Sequence, residues 1–217
     1  QFPYESIKLL ASARSAGKKL IVNGTEYTVE EAKPESFDGV DIALFAGGSI
    51  SKTLAPEAAK RGAIVIDNSS AFRMDPEVPL VVPEVNPEDI ETHKGIIANP
   101  NCSTIQSVVP LKPLADAFGL DRVAYTTYQA VSGSGKGGID DLLNGQDGKE
   151  PKKYPHPIYN NVLPHIDVFL DNGYTKEEMK MFYETQKIMH SDVKCSATCV
   201  RVSSLRSHSE SVWVETE

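Results

Sequence analysis

The sequence predicts an α/β protein in which a doubly wound, parallel-sheet domain is followed by an α+β domain. In the first half, short continuous apolar runs alternate with helical stretches, as strands buried on both faces of a parallel sheet require. Several of these runs end in Gly, Ser or Asn, the residues of ligand-binding turns at the carboxyl ends of strands. The second half has longer β-rich runs around one long helix, which is typical of a mostly antiparallel sheet.

Five apolar runs of the first half read as strands, and one Ala- and Lys-rich stretch reads as a helix. The second run breaks at Gly47 and Gly48, and the third ends in a turn of Asp, Asn and Ser. The predicted strands span residues 7–11, 40–46, 63–66, 80–82 and 95–98, and the predicted helix spans 51–61. Strands separated by a helix in this way indicate a parallel sheet.

The pattern changes near Cys102, where we place the domain boundary. The predicted elements beyond it are a strand over 122–131, a proline-rich loop over 145–157, a helix over 176–190 and strands over 193–202 and 211–216. The helix carries Met179, Phe182 and Met189 on one stripe. The chain opens where the tail of a first helix would lie, with no Gly-rich turn before it, and stops soon after a strand. We therefore expect a partial chain, cut at both ends.

The composition is that of an ordinary globular protein, with 40% hydrophobic and 24% charged residues. A formal net charge of −8 argues against nucleic acid or an anionic membrane surface as a partner. No apolar run reaches the length of a membrane span, and no leader for export opens the chain. The odd number of cysteines fits a reducing compartment, so we expect a cytoplasmic protein. Cys195 and Cys199 lack a second ligand pair, so no metal site is expected.

A polar turn that contains a cysteine, residues 99–104, follows the last predicted strand of the first half. The apolar stretch after it predicts a helix, which places Cys102 at the helix N-terminus. Unpaired N–H groups there would lower the pKa of the thiol, and with the Asn101 side chain they could hold an oxyanion. The alternative is that Cys102 is a small buried hydrophobe, the usual fate of a free cysteine.

Four further features are ambiguous on their own. The glycine-rich segment 128–136 is not a P-loop, because the first Gly and the final Ser/Thr of that motif are missing, so a flexible turn is the alternative. His208 could be the base for a thiol, but spacing does not choose it among five histidines. Glu177 and Lys180 share a helix face, where a solvated ion pair is the alternative. Arg73 follows a strand end and could bind an anion, or could be an ordinary surface arginine.

Taken in order, these segments resemble aspartate-semialdehyde dehydrogenases, particularly those of bacteria, along essentially the whole chain. The matching segments are residues 10–17, 45–49, 67–73, 99–104, 129–133 and 201–210. The resemblance implies a Rossmann-like NADP-binding domain over residues 1–101, truncated at its N-terminus. It also implies a catalytic and dimerisation α+β domain of the glyceraldehyde-3-phosphate-dehydrogenase-like type over 102–217, incomplete at its C-terminus.

The resemblance also implies a role for each matching residue. The catalytic residues would be Cys102 as the acyl-thioester nucleophile, His208 as the acid/base and Gln129 as the residue that orients the substrate. The substrate would be bound by Arg201 at its α-carboxylate and by Glu177 and Lys180. The phosphate would be bound by Arg73, Asn101 and Lys180. The cofactor would be bound by Arg14, Ser15, Gly47, Gly48, Ser132 and Gly133. An arginine where an NAD enzyme carries an acidic residue favours NADP.

The implied reaction is the NADP-dependent, reversible, phosphorylating oxidation of L-aspartate 4-semialdehyde to 4-phospho-L-aspartate through a cysteine thioester. The resemblance places it in the biosynthesis of lysine, threonine, methionine and diaminopimelate, in a homodimer. An enzyme like N-acetyl-γ-glutamyl-phosphate reductase is one alternative. A non-catalytic homologue that acts as a binding partner is another, although such proteins tend to lose the nucleophile. One departure is Ser203, which stands where the family commonly has Pro.

Overall fold

The computed structural model describes residues 2–217, which divide into two compact units. Unit 1 comprises Gln1–Pro79 and Ile90–Asn99, and unit 2 comprises Leu80–Asp89 and Pro100–Glu217. The segment 80–89 therefore groups with the second unit, whereas the sequence assigned it to the first domain. Among residues 2–217, no helix is both long and apolar enough to pass through a bilayer.

Unit 1 contains a three-stranded parallel sheet with one helix in its connections. Its elements are β1 (Leu10–Ala11), β2 (Lys19–Val22), β3 (Thr25–Thr28), β4 (Glu30–Glu31), β5 (Ile42–Phe45), α1 (Ser51–Lys60), β6 (Ile64–Asp67) and β7 (Ile96–Ala98). The sheet order is β5-β6-β7, and β1 pairs separately with β4, also in parallel. The parallel sheet expected from the apolar runs is confirmed, although the first strand is much shorter than the predicted 7–11.

Alanines on α1 allow the helix to pack closely on this sheet. Ala55 and Ala58 are fully buried against Val65 of β6, and Phe37 stacks on Phe45 with ring centroids 5.4 Å apart. The carboxyl ends of β5, β6 and β7 lie on one edge because the strands are parallel. The polar turns that follow them are therefore held by the core of this unit.

The predicted strand over residues 80–82 is reduced to a single β-bridge at Leu80. These residues are buried, but the Val82 N–H donates to Asn86 Oδ1, and Asn86 Nδ2 donates to the Leu80 carbonyl, each at 2.9 Å. One asparagine side chain thus satisfies backbone groups that a strand would pair with a neighbour. The hairpin of β2 and β3, in contrast, was missed. Its turn is Asn23-Gly24, with φ of 51° and 83°, the dipeptide that most strongly favours a tight hairpin.

Unit 2 is built around a four-stranded mixed sheet. Its elements are α2 (Cys102–Phe118), β8 (Arg122–Gln129), α3 (Gly135–Gly145), β9 (Val162–Leu163), α4 (Lys176–Met189), β10 (Lys194–Val202) and β11 (Ser209–Glu215). The sheet order is β11-β8-β10-β9. The β8–β10 pair is parallel and the two outer pairs are antiparallel, so the expectation of a mostly antiparallel sheet is confirmed for the outer pairs only.

Helix α4 covers one face of the sheet with a partly polar surface. Met181 and Ile188 are fully buried, and so are the polar residues Glu184 and Thr185. Met179, Phe182 and Met189, the stripe seen in the sequence, are only partly buried. The apolar stripe was therefore the wrong guide to the buried face, because the core here accepts hydrogen-bonded polar groups. Thr175 caps the helix in a reciprocal capping box with Glu178.

The other face of the sheet is open. Along it, the register places Trp213, Ala124 and Ser196 in one row, and Ser211, Thr126 and Thr198 in the next. Trp213 is 57% exposed and Tyr128 43%. A large aromatic residue on an uncovered sheet face is what a protein–protein interface presents.

Ser203 performs a local structural task at the end of β10. Its hydroxyl lies within hydrogen-bond distance of the Ile158 carbonyl and of the Asn161 carbonyl, the latter at 3.1 Å. The Asn161 N–H in turn donates to Ser203 Oγ at 3.2 Å. The Ser203 hydroxyl therefore ties the segment before β9 to β10.

Candidate active site

Cys102 is the first residue of α2, as the sequence predicted, and Asn101 caps the helix. Asn101 Oδ1 accepts from the backbone N–H groups of Ser103 at 2.9 Å and Thr104 at 3.4 Å. Cys102 keeps exposed surface, so it is not the small buried hydrophobe of the alternative interpretation, although its surroundings partly desolvate the thiol. The cap occupies N–H groups that the sequence assigned to an oxyanion.

Two carboxylates from α4 hold Asn101 in place. The Asn101 backbone N–H donates to Glu184 Oε2 at 2.6 Å, and its Nδ2 donates to Glu177 Oε1 at 2.9 Å. Glu177 and Glu184 are two helical turns apart, so they lie on one face of α4. The turn before the nucleophile is thus fixed by charge-assisted hydrogen bonds in a buried setting.

Glu177 and Lys180 are not the solvated ion pair of the alternative interpretation. Lys180 Nζ lies 2.8 Å from Glu177 Oε2 and 3.1 Å from Asp167 Oδ2, with Glu177 buried. Burial opposes the charge of each, but the pKa of Glu177 is still held below its ordinary value by Lys180, Asn101 and Gln129. The pKa of Lys180 is raised by Glu177 and Asp167 despite burial, so both groups are charged at neutral pH.

Gln129, the last residue of β8, is fully buried and its amide has a fixed orientation. Its Nε2 donates to Ser103 Oγ at 3.0 Å and to Glu177 Oε1 at 3.3 Å. Its Oε1 accepts no hydrogen bond from the part of the chain that the structure describes, which leaves that oxygen available to a ligand. The nucleophile helix and α4 thus both contact Gln129.

The backbone of Ala130 connects His208, the candidate base, to Arg201, the candidate carboxylate-binding residue. Its N–H donates to His208 Nδ1 at 3.0 Å, and its carbonyl accepts from Arg201 Nη1 at 2.7 Å. Arg201 is only 6% exposed, its Nε is buried without a hydrogen-bond partner, and no carboxylate within residues 2–217 forms an ion pair with it. A buried guanidinium with an unsatisfied donor is costly to maintain, and an anionic ligand would relieve that cost.

Gly133 lies against both of these side chains. A Cβ at this position would come within 3.1 Å of the His208 ring and 3.2 Å of Arg201 Nη1. The loop is held to the turn before His208, because the Val131 N–H donates to the Ser204 carbonyl and the Ser132 N–H to that of Leu205. The structure therefore gives Gly133 a packing role beside the candidate base in addition to the cofactor contact expected from the sequence.

The expected lowering of the Cys102 pKa is wrong in direction. Desolvation and the negative charge of Glu177 raise the pKa of this thiol, and they outweigh the Ser103 N–H and Arg201, which act the other way. Burial and Arg201 lower the pKa of His208, so its ring is neutral at neutral pH. The same two charged residues act on both groups. The site thus pairs a protonated thiol with a neutral imidazole, which is suited to general-base activation.

The pH dependence of Cys102 alkylation tests this protonation state. We expect the rate with iodoacetamide to keep rising above pH 9, because the thiol pKa lies above its ordinary value of 9.0. The measurement is the second-order rate constant between pH 6 and 11, with the adduct located by mass spectrometry. A plateau reached below about pH 8 would show instead that the helix N-terminus dominates.

In unit 1, the expected cofactor residues follow strand ends. Gly47 and Gly48 come directly after β5; a Cβ on Gly47 would lie 2.4 Å from Ile50 Cγ2, and Gly48 has φ of 60°. Arg14 and Ser15 lie in the single helical turn after β1, where Arg14 is exposed and makes no hydrogen bond or ion pair with residues 2–217. A close-approach glycine turn and an open arginine suit a phosphorylated dinucleotide.

Arg73 is more constrained than a surface arginine. Its Nε donates to the Asn99 carbonyl and its Nη2 to that of Asn68, each at 2.9 Å. These carbonyls follow β7 and β6, so Arg73 joins two strand ends in addition to any contact with phosphate. Arg73 is buried.

Four polar residues near the site were missed in the sequence: Ser103, Asp167, Glu184 and Glu210. Ser103 belongs to α2, Glu184 binds the cap residue Asn101, and Glu210 binds Ser107 of the same helix. Asp167 binds Lys180. The available signal was spacing, since Glu184 lies seven residues after Glu177 and so on the same helix face. Nothing in the local sequence indicated Asp167 or Glu210, because their partners are far away in the chain.

Comparison with known proteins agrees with this arrangement. Residues 1–93 match the family model for the semialdehyde dehydrogenase NAD binding domain, and residues 111–217 match that for the dimerisation domain. The aspartate-semialdehyde dehydrogenase of Aquifex aeolicus is 59% identical over 228 residues, which cover 100% of this chain and 67% of that protein.

Two solved structures are informative. Aspartate semialdehyde dehydrogenase II of Vibrio cholerae, complexed with ASA, has a TM-score of 0.95 at 50% identity, covering 99% of this chain and 67% of that one. The Candida albicans enzyme with NADP has a TM-score of 0.75 at 30% identity, covering 98% and 64%. The chain thus spans about two thirds of the length of the proteins it matches.

The two domains, with a cysteine at a helix N-terminus and a buried arginine beside a histidine, define a semialdehyde dehydrogenase. Within that class, the family is shown by the 59% sequence identity to the Aquifex aeolicus protein, which extends over the whole of this chain. The chain belongs to the aspartate-semialdehyde dehydrogenase family.

Proposed function

We propose that this protein catalyses the reversible, NADP-dependent, phosphorylating oxidation of L-aspartate 4-semialdehyde to 4-phospho-L-aspartate. The observation that carries the proposal is Arg201, a buried guanidinium with an unpartnered Nε that shares the Ala130 peptide with His208. An α-carboxylate fits that position, because a carboxylate accepts two hydrogen bonds from one guanidinium. In the cell, the reaction would serve lysine, threonine, methionine and diaminopimelate synthesis in the cytoplasm.

The chemistry begins at Cys102. His208 removes the thiol proton, and the sulfur adds to the aldehyde carbon to give a hemithioacetal. His208 returns the proton to the former carbonyl oxygen and takes it back as hydride leaves the carbon, and NADP, when bound, would be the hydride acceptor. The resulting thioester on Cys102 is attacked by a phosphate oxygen, the C–S bond breaks, and the thiolate leaves. Since His208 Nδ1 now accepts from Ala130, a neutral ring carries its hydrogen on Nε2. His208 can take up the thiol proton at Nε2 only in the other tautomer, which carries its hydrogen on Nδ1. The hydrogen bond from the Ala130 N–H to Nδ1 must therefore break first.

Positive groups favour phosphate over water as the acceptor of the acyl group. Lys180 remains charged beside Glu177, and we assign it to the phosphate, with Glu177 on the substrate amine. Asn101 Nδ2 uses one hydrogen on Glu177 and retains one for phosphate, and we assign Arg73 to the same anion. Gln129, with its free Oε1, would orient the substrate beside Cys102.

NADP as the cofactor rests on the open Arg14 and on the glycine turn after β5. Arg14 and Ser15 would bind the 2′-phosphate, and Gly47 and Gly48 would allow the backbone to approach the dinucleotide. Ser132 and Gly133 would complete the contacts near the reacting end. The family model names a NAD binding domain, and the Candida albicans relative was solved with NADP.

The deciding experiment is phosphate-dependent reduction of NADP by aspartate semialdehyde, followed at 340 nm with the full-length protein. We expect turnover that requires phosphate and prefers NADP over NAD. Activity only with N-acetylglutamate semialdehyde would support the reductase alternative. No turnover with either aldehyde, in a folded protein that binds NADP, would support a non-catalytic binding partner.

We also propose a homodimer formed through the open face of the unit 2 sheet. Replacing Trp213 by lysine should shift the dimer toward monomer, since loss of a buried aromatic anchor costs about 2 kcal/mol or more. Sedimentation velocity over a concentration series measures the shift. Phe118→Lys is the matched control, because Phe118 is 60% exposed and belongs to the end of α2 rather than to a strand of the sheet. Unchanged mass for Trp213→Lys would move the interface elsewhere.

A further inference from the structure

Glu210 is a half-buried carboxylate to which the proposed mechanism gives no task. It lies in β11, two residues after His208 and opposite Thr127 of β8. Its Oε1 accepts from Gln106 Nε2 at 2.7 Å, and its Oε2 accepts from the Ser107 hydroxyl. Both partners belong to α2, so one side chain joins the strand that begins beside His208 to the helix that begins at Cys102.

A third donor connects Glu210 to Gln129. The Ser103 hydroxyl also interacts with the Glu210 carboxylate, and its oxygen accepts from Gln129 Nε2 at 3.0 Å. An ionised carboxylate only accepts hydrogen bonds, so it turns the Ser103 hydrogen toward itself. The Ser103 oxygen then faces the NH2 group of Gln129, as Glu177 Oε1 also does, and these two acceptors leave Gln129 Oε1 as the free end.

We propose that Glu210 is a positioning residue that fixes the orientation of the Gln129 amide and the spacing between Cys102 and His208. It touches neither substrate nor cofactor and acts through Ser103, Gln106 and Ser107. The inference rests on the proposed function insofar as Gln129 and His208 are the groups that serve the reaction. The hydrogen bonds from Gln106 and Ser107 to Glu210, and from Gln129 to Ser103, are present whatever the reaction is.

The choice of a carboxylate supports this reading. Burial raises the pKa of the Glu210 carboxyl, and hydrogen bonds from Ser107, Gln106 and Ser103 offset that rise only in part. An ionised carboxylate at this position therefore costs free energy. A simple link between helix and strand would be served by an uncharged side chain. An acceptor with no N–H or O–H of its own imposes a direction on the Ser103 hydroxyl, whose oxygen is one of the two acceptors that orient the Gln129 amide, the other being Glu177 Oε1.

The test is Glu210→Gln in the full-length protein, which keeps the shape but adds a donor. We expect the fold to persist, the KM for the semialdehyde to change less than about threefold, and kcat to fall on the order of 10- to 100-fold. Glu215→Gln is the matched control, since Glu215 is on the same strand and exposed, with only Arg122 at 3.7 Å. In a Ser103→Ala background, Glu210→Gln should cost much less than in the wild type.

Alkylation of Cys102 gives a readout that does not depend on the substrate. If His208 assists the thiol, as the proposed mechanism requires, a substitution that displaces it should lower the rate near neutral pH, whereas partial unfolding would raise the rate and also expose Cys199, which is buried. Equal kcat for Glu210→Gln and Glu215→Gln, with an unchanged alkylation rate, would overturn the proposal. If the wild type shows no turnover, the proposed function fails, and alkylation still decides whether Glu210 positions the site.

Discussion

Replacing Cys102 by alanine should abolish turnover while leaving the protein folded. Removal of a covalent nucleophile in comparable enzymes costs about 10⁴-fold or more in kcat, because no other group can form the acyl intermediate. Cys102 is exposed at the first position of α2, and the cap is made by Asn101, so the free energy of unfolding should change by less than about 0.5 kcal/mol. The measurements are kcat in the phosphate-dependent assay and denaturant unfolding.

Cys195→Ala is the matched control for this substitution. Cys195 lies in β10 and is partly buried, and burial raises its pKa to about 12, so its thiolate is scarce at neutral pH. We expect near-normal kcat for this variant, with a modest loss of stability from the core contact. Retained turnover in Cys102→Ala, or equal losses in both variants, would remove Cys102 from the mechanism.

The sequence predicted the elements that are determined locally. Cys102 was placed at a helix N-terminus because a polar turn joins a strand to an apolar helical stretch, and both neighbours are present as β7 and α2. The parallel sheet followed from runs that are apolar on both faces. The Asn23-Gly24 hairpin could also have been predicted, since its turn signal is local. The parallel pairing of β8 with β10, in a sheet expected to be mostly antiparallel, could not be predicted in this way because the two strands are far apart in the chain.

The polar network around the nucleophile could not be predicted in the same way. Glu184 meets Asn101 and Glu210 meets Ser107 across 83 and 103 residues of chain, and such contacts leave no local pattern. The direction of the Cys102 pKa shift depends on Glu177, which the helix-terminus argument did not include. The helix dipole alone would lower the pKa of the Cys102 thiol, but desolvation and the negative charge of Glu177 outweigh it.

Arg201→Leu should raise the KM for aspartate semialdehyde by about 100-fold or more and leave that for NADP within about threefold. A charge-assisted, bidentate hydrogen bond to a desolvated carboxylate contributes about 3 kcal/mol or more to the binding free energy, and leucine offers no donor. The free protein should lose little stability, because the guanidinium has an unpartnered Nε and no ion pair within residues 2–217. Its hydrogen bond to the Ala130 carbonyl is the main contact that is lost.

The two KM values of Arg201→Leu are measured separately, each with the other substrate saturating, and Arg206→Leu is the matched control. Arg206 is exposed in the turn between β10 and β11, so the change in net charge is identical, but the position is not buried. Arg201 also lowers the pKa of Cys102 and of His208, so a smaller fall in kcat should accompany the rise in KM. If both KM values rise equally, Arg201 shapes the site as a whole, and the carboxylate of the substrate is bound by another group.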